Sequence, residues 1–154
     1  MNRPTLVFTY DFAASPQRVF DVFTQPKHLD KWYTHNSKVD LQVGGSMSNG
    51  DGEEYSLLKV AVPRQLIFTY RHPKIEPETE VDMTFDPSVG LNGTRLRIVH
   101  KGLDPKTVPA EASQWLEDRW TFMAVNLKRY LGRQSRLTFD QYLSIRNPVY
   151  EQRR

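Results

Sequence analysis

Between Leu6 and Phe12 apolar and polar positions alternate: Leu6, Phe8, Tyr10 and Phe12 share one side, Val7, Thr9 and Asp11 the other. A period of two predicts a half-buried strand. Ser15 then supplies a capping oxygen and Pro16 suits the first helical position, so Val19, Phe20 and Phe23 become the buried side of a helix of about two turns. Pro26 opens a second short helix in the same way, with Leu29, Trp32 and Tyr33 on its apolar side.

From Lys38 to Lys101 the period stays at two, broken by turn residues. Val39, Leu41 and Val43 predict one strand, Gly44 and Gly45 a tight turn, and Met47 the centre of a short second strand. Gly50 and Gly52 flank a turn before a strand from Tyr55 to Val62. Three more follow, presenting Leu66, Phe68 and Tyr70, then Val81, Met83 and Phe85, then Leu96, Ile98 and His100. Asn92-Gly93 is a favoured hairpin pair. With the first strand, this predicts a mostly antiparallel meander of about seven strands.

Beyond Pro109 the period becomes 3.6. Leu116, Trp120, Met123, Ala124, Leu127 and Leu131 follow one another at helical spacing, which predicts a long helix from Pro109 to Leu131 with Gly132 as its stop. Trp115 and Phe122 form a second stripe beside the first, so the helix covers a broad or concave surface or also meets a partner. In the tail, Leu137, Phe139, Tyr142, Leu143 and Ile145 predict a short helix packing back, and the last residues read as a mobile basic terminus.

Charge changes the picture less than the total suggests. The chain of 154 residues carries a formal +3, but residues 133–154 hold five Arg against Asp140 and Glu151, and residues 1–132 are neutral. A nucleic-acid footprint, which needs basic charge clustered on the body of the domain, is not expected. The two short helices therefore read as a clip closing one end of the sheet rather than a DNA-reading pair: the second is too short and ends in Trp32 and Tyr33. With no cysteine, disulfides, thiolate metal sites and cysteine nucleophiles drop out. No basic-then-apolar leader and no membrane-length apolar run is present, so a soluble, cytoplasmic protein is expected.

Catalytic signatures are scarce. His28, His35, His72 and His100 have no metal-ligand spacing, and no Gly-x-Ser-x-Gly elbow occurs. The glycines around Met47 lack the Lys-Ser/Thr ending of a phosphate loop. Glu53-Glu54 and Glu76, Glu78 and Glu80 read as solvated turn and edge residues. No catalytic set, metal site or cofactor is expected.

What remains is one aromatic sheet face. Tyr55, Phe68, Tyr70, Met83 and Phe85 face the long helix with its Trp120 and Met123, and Met47, Ile98 and His100 extend that face toward Tyr33 at the mouth. Two readings stand side by side: a packed core that needs no ligand, or the lining of an apolar pocket in which buried tyrosine hydroxyls give polar points.

The order of elements resembles the helix-grip fold of the START and birch-pollen-allergen superfamily, an α+β architecture. Within it, the stretches "SPQRVFDVFTQPKHLDKWY", "DLQVGGSMS", "GEEYSLLKVAVPRQLIFTYRH" and "TFDPSVGLNGTRLRIVHKGL", with the Trp120-x-x-Met-Ala-x-x-Leu pattern, are similar to bacterial proteins related to the activator of heat-shock protein 90 ATPase. The resemblance implies a curved sheet around the long helix, enclosing a cavity entered near the two short helices, and members that bind hydrophobic small molecules without an assigned reaction. Where that family often has Gly before the helical Trp, this chain has Arg119, and its tail runs past the family's usual end.

The expected organisation is a START-like domain over residues 1–132 and a partly helical basic extension over 133–154. The expected role is a non-catalytic carrier or sensor of a hydrophobic or aromatic small molecule, with Tyr33, Met47, Tyr55, Phe68, Tyr70, Met83, Phe85, Ile98, His100, Trp120 and Met123 as its binding residues. The alternatives are a cyclase- or hydrolase-like enzyme using Tyr55, Tyr70 and His100, and a chaperone-associated or other protein-binding module using the stripe at Trp115 and Phe122, which would also suit a homodimer.

Overall fold

A computed structural model describes residues 5–88 and 92–152, the side chains of residues 147–152 excepted. The predicted strand is β1 (Leu6–Phe12), followed by α1 (Pro16–Thr24) and α2 (Pro26–Trp32). Ser15 Oγ accepts the Arg18 N–H at 3.2 Å, which caps α1, and Pro16 and Pro26 occupy the first helical positions. The Trp32 indole N–H donates to the Val22 carbonyl at 2.8 Å and staples α2 to α1. The strands β2 (Lys38–Val39), β3 (Ser46–Ser48), β4 (Glu54–Ala61), β5 (Gln65–His72), β6 (Ile75–Pro87) and β7 (Thr94–Lys101) follow, then α3 (Ala110–Leu131) and α4 (Phe139–Gln152).

The seven strands form one antiparallel sheet in the order β1-β7-β6-β5-β4-β3-β2. The chain starts at one edge and reaches the other through α1 and α2. It then returns strand by strand until β7 pairs with β1. The two short helices therefore lie across an end of the sheet, with Phe20 and Phe23 against Phe85 of β6 at 5.1 and 6.5 Å between ring centres. This is the helix-grip fold: a curved sheet gripping α3.

Alternation places Leu66, Phe68 and Tyr70 of β5, Val81, Met83 and Phe85 of β6, and Leu96, Ile98 and His100 of β7 on the buried face. Register pairs Phe68 with Val81, Met83 with Ile98, and Phe85 with Leu96. Each such apolar side chain contributes about 1.5–3 kcal/mol by leaving water. Leu116, Trp120, Met123 and Leu127 of α3 complete the core.

Some local expectations are corrected. Leu41 and Val43 are exposed and lie outside any strand, because β2 stops at Val39. The turn starts earlier: Asp40 N–H bonds the Ser46 carbonyl and Gly45 N–H bonds the Gln42 carbonyl, and a Cβ on Gly45 would collide with the Asp40 carbonyl oxygen. Asn92-Gly93 is not a two-residue hairpin. Pro87 pairs with Thr94, so the connection is longer, and the Ser88 N–H closes it on the Gly93 carbonyl.

α3 ends at Gly132, and Arg133 takes the left-handed backbone at φ 61°. The chain then turns back as a strap. Buried Asn126 donates Nδ2 to the Leu137 carbonyl at 2.8 Å and accepts the Leu137 N–H at 2.9 Å. Arg129 Nε donates to the Ser135 carbonyl, and Arg136 Nη1 to the carbonyls of Thr34 and Asp30. Phe139 meets Phe122 at 5.2 Å and Trp115 at 6.2 Å, and Tyr142 meets Phe122 at 6.0 Å. The stripe that sequence leaves open for a partner is thus covered by this chain's own tail. The expectation of a mobile terminus concerns residues beyond the described ones.

Candidate functional site

At the end of the grip closed by α1 and α2, the core is polar. Arg119 projects from α3 into it and is 4% exposed. Its Nε donates to Tyr33 Oη at 3.1 Å, and its Nη2 lies 2.7 Å from Asp51 Oδ2 and 3.3 Å from Glu53 Oε1. Glu53, 1% exposed, also accepts Tyr33 O–H at 2.6 Å, Tyr70 O–H at 2.5 Å and Asn49 Nδ2 at 3.1 Å. The guanidinium is sandwiched among rings, 4.6 Å from the centre of Tyr33, 5.2 Å from Phe122 and 5.3 Å from Phe139. A guanidinium tolerates that setting because it is weakly hydrated and attracted to aromatic faces.

The reading of Glu53 as a solvated edge residue is corrected. The Asn49 side chain accepts the N–H groups of both Asp51 and Glu53, and this turn directs Glu53 inward while Glu54 remains outside, paired with Arg71 at 2.9 Å. Burial pushes the Glu53 carboxyl up, but the Arg119 charge and the hydrogen bonds from Tyr33, Tyr70 and Asn49 outweigh it, and the net shift is downward. Burial likewise opposes the Arg119 charge, and Tyr33, Glu53 and Asp51 outweigh it. Burial and the neighbouring Glu53 charge push the Tyr55 and Tyr70 phenols well up. The cluster at neutral pH is therefore an ion pair wrapped in protonated tyrosines.

His100 sits deeper. Trp120 Nε1 is a donor only, so it fixes His100 Nδ1 as acceptor at 2.9 Å and leaves the ring proton on Nε2, which faces Thr79 Oγ1 at 2.7 Å. Burial lowers its pKa to about 4. With both nitrogens engaged, His100 is a hydrogen-bonded wall of the core and a poor proton shuttle at neutral pH.

The eleven candidate binding residues are all buried, but they divide. Phe68, Met83, Phe85, Ile98 and Met123 expose nothing to a water-sized sphere, and Trp120 is 2% exposed, so side chains fill the space between sheet and helix. Tyr70 and His100 form the polar layer just described. Tyr33, Met47 and Tyr55 instead line a cleft with Phe23, Leu29 and Glu53, of about 10 Å³. That holds no more than about one water. On the other side of Tyr33, a pocket of about 160 Å³ lies between Arg119, Asp51 and the strap.

Sequence reasoning passes over Glu53, Asp51, Asn49 and the role of Arg119. One signal was available: Arg119 lies three residues after Leu116 and four before Met123, inside the apolar arc. An arginine there requires a buried acid. Among the described residues no group of His, Asp and Glu could hold a metal ion, and no helix is long and apolar enough to cross a membrane.

Comparison with solved structures finds the same fold at low identity. An HSP90 activator from Plasmodium falciparum aligns with a TM-score of 0.72 and 21% identity over 83% of this chain and 96% of that one. CalU16 from Micromonospora echinospora gives 0.69 and 18% over 82% and 73%. The Aha1 dimer from Colwellia psychrerythraea gives 0.69 and 19% over 82% and 94%. No curated protein matches by sequence. A family model does, over residues 13–132, from just before α1 to the end of α3, and the chain accordingly belongs to the Activator of Hsp90 ATPase homolog 1-like family.

Proposed function

We propose that the protein is a carrier or sensor that binds an apolar or aromatic small molecule at the end of the grip closed by α1 and α2. The observation that carries this reading is the cleft itself. It is lined by the apolar Phe23, Leu29, Met47 and Tyr55, by the small polar Thr34, Ser37, Ser48 and Asn49, and by the ionised Glu53. Glu53 already accepts a phenol O–H there, from Tyr33. A ligand with an aromatic ring and a hydroxyl group would exchange with the Tyr33 side chain at that carboxylate. With so little free volume, entry needs Tyr33 and Met47 to swing aside, and the unbranched Met47 side chain adapts readily.

A hydrolase or cyclase reading needs a free acid or base, whereas His100 and Tyr70 are both committed to internal hydrogen bonds. A chaperone-binding reading, which the family description suggests, lacks a free aromatic stripe at Trp115 and Phe122.

Native mass spectrometry of the purified protein and titration with 2-naphthol test the proposal. A saturable complex is expected that shifts the Met47 methyl resonance and is lost in Met47→Trp. Absence of any saturable binder, or binding indifferent to Met47→Trp, would sink the reading.

A further inference from the structure

The pocket on the outer side of Tyr33 has a chemistry of its own. Four of its ten lining residues, Arg136 to Phe139, come from the strap, beyond the residues that match the family. Arg119 forms part of its floor. Of the three guanidinium nitrogens, Nε serves Tyr33 and Nη2 serves Asp51 and Glu53, while Nη1 makes no hydrogen bond among the described residues. Nη1 is not among the buried polar atoms left without a partner, and Arg119 lines the pocket, so this donor is available to whatever the pocket holds.

Arg136 lines the same pocket. Its Nη1 is held by the carbonyls of Thr34 and Asp30, which fixes the plane of the guanidinium, and no carboxylate pairs with it among the described residues. Its Nη2 and Nε remain to bond a ligand. The acid already present, Asp51, is engaged by Arg119, Thr34 and His35. Two guanidinium groups with donors to spare thus line one pocket, together with the Phe122 and Phe139 rings.

We propose that this pocket is a binding site for a monocyclic aromatic carboxylate, with the carboxylate between Arg119 Nη1 and Arg136 and the ring on Phe139. The volume fits: a cavity of about 150 Å³ accepts benzene, and this one is about 160 Å³. A planar fork is also the geometry that pairs best with a carboxylate. The two sites share Tyr33 and Thr34, but Met47 and Tyr55 line only the cleft, and Arg136 and Phe139 only this pocket, so variants at those positions distinguish them.

Titration of the full chain with sodium benzoate, followed by ¹H–¹⁵N NMR, tests it. Saturable shifts are expected at the amides of Thr34, His35, Leu137, Thr138 and Phe139 and at the Arg119 Nε–H. Benzamide, with the same ring and no charge, is expected to bind about tenfold more weakly, and so is benzoate to Arg136→Gln. Because Arg136 also holds the strap, protection of the Leu137 amide shows whether the strap stays docked in that variant. If it does not, Arg136→Lys replaces it, and benzoate affinity within a few-fold of the parent is the expected result. No saturable shift at these amides overturns the proposal. So does equal binding of benzamide, an Arg136→Gln variant with a docked strap that binds as well as the parent, or a docked Arg136→Lys variant that does not bind.

Discussion

Arg119 and Glu53, 66 residues apart in sequence, meet at 3.3 Å with both side chains buried. Their attraction offsets the cost of burying each charge, so the two side chains are worth keeping only together.

Arg119→Leu leaves Glu53 buried without its cation and is expected to cost about 3–5 kcal/mol, the usual penalty for stranding one member of a buried pair. Glu53→Leu alone should cost less, because Arg119 keeps Asp51 at 2.7 Å as its counter-ion. The double variant is expected to regain most of the loss, which urea unfolding of the three variants and the parent would measure. Strictly additive losses would show that the pair is not coupled.

Acid should expose His100. Between about pH 6.5 and 4 the unfolded chain binds a proton at this residue that the folded chain refuses, so stability falls as the pH falls through that window. The slope from this group is about 1.4 kcal/mol per pH unit, summing to about 3 kcal/mol. His100→Gln keeps an acceptor for Trp120 without titrating, and its thermal midpoint is expected to be flatter over the same range. Glu53 acts in the same direction at lower pH: its folded pKa lies below the ordinary value of 4.5, so its contribution is present above that value and is lost as the pH falls through the folded pKa.

Asn126 holds the strap by reading the Leu137 backbone with both ends of its amide. Asn126→Leu removes two hydrogen bonds and leaves the Leu137 groups unmatched, a loss of about 2–3 kcal/mol. Hydrogen exchange should localise the damage, with the Leu137 amide and the first turn of α4 losing protection before the sheet does. Uniform loss of protection would show that strap and sheet open as one unit.

Tyr70→Phe removes one of the three neutral donors on Glu53. A hydrogen bond to a charged group is worth about 1.5–3 kcal/mol, and the denaturant midpoint is expected to fall accordingly. Tyr33→Phe should cost at least as much, because it also deprives Arg119 Nε of its acceptor.

How much of this is legible in the sequence depends on what sets each feature. β5, β6 and β7 announce themselves because alternation is imposed by a single buried face, and Leu66 to Tyr70 or Leu96 to His100 can satisfy it in one register only. The 3.6 period does the same for α3. Leu41 and Val43 mislead because alternation without a partner strand is only a pattern: the chain turns at Asp40 before they can pair. Glu53 and Glu54 are indistinguishable by type, and the choice of which enters the core is made by Asn49, four residues earlier, through backbone hydrogen bonds that no periodicity records. The stripe at Trp115 and Phe122 is read as covering a broad surface or meeting a partner, and what packs on it is the chain's own tail. That the cover is Phe139 follows from the left-handed Arg133, which reverses the chain onto α3.

Phe139 lies 5.3 Å from the Arg119 guanidinium, yet it belongs to the stretch beyond the residues that match the family. The tail therefore shields the inner charge. A protein cut back to Gly132 would open the aromatic cage around its buried cation to bulk water. Recombining a tailless domain with this helix would then fail at residue 119, far in sequence from the junction that was altered.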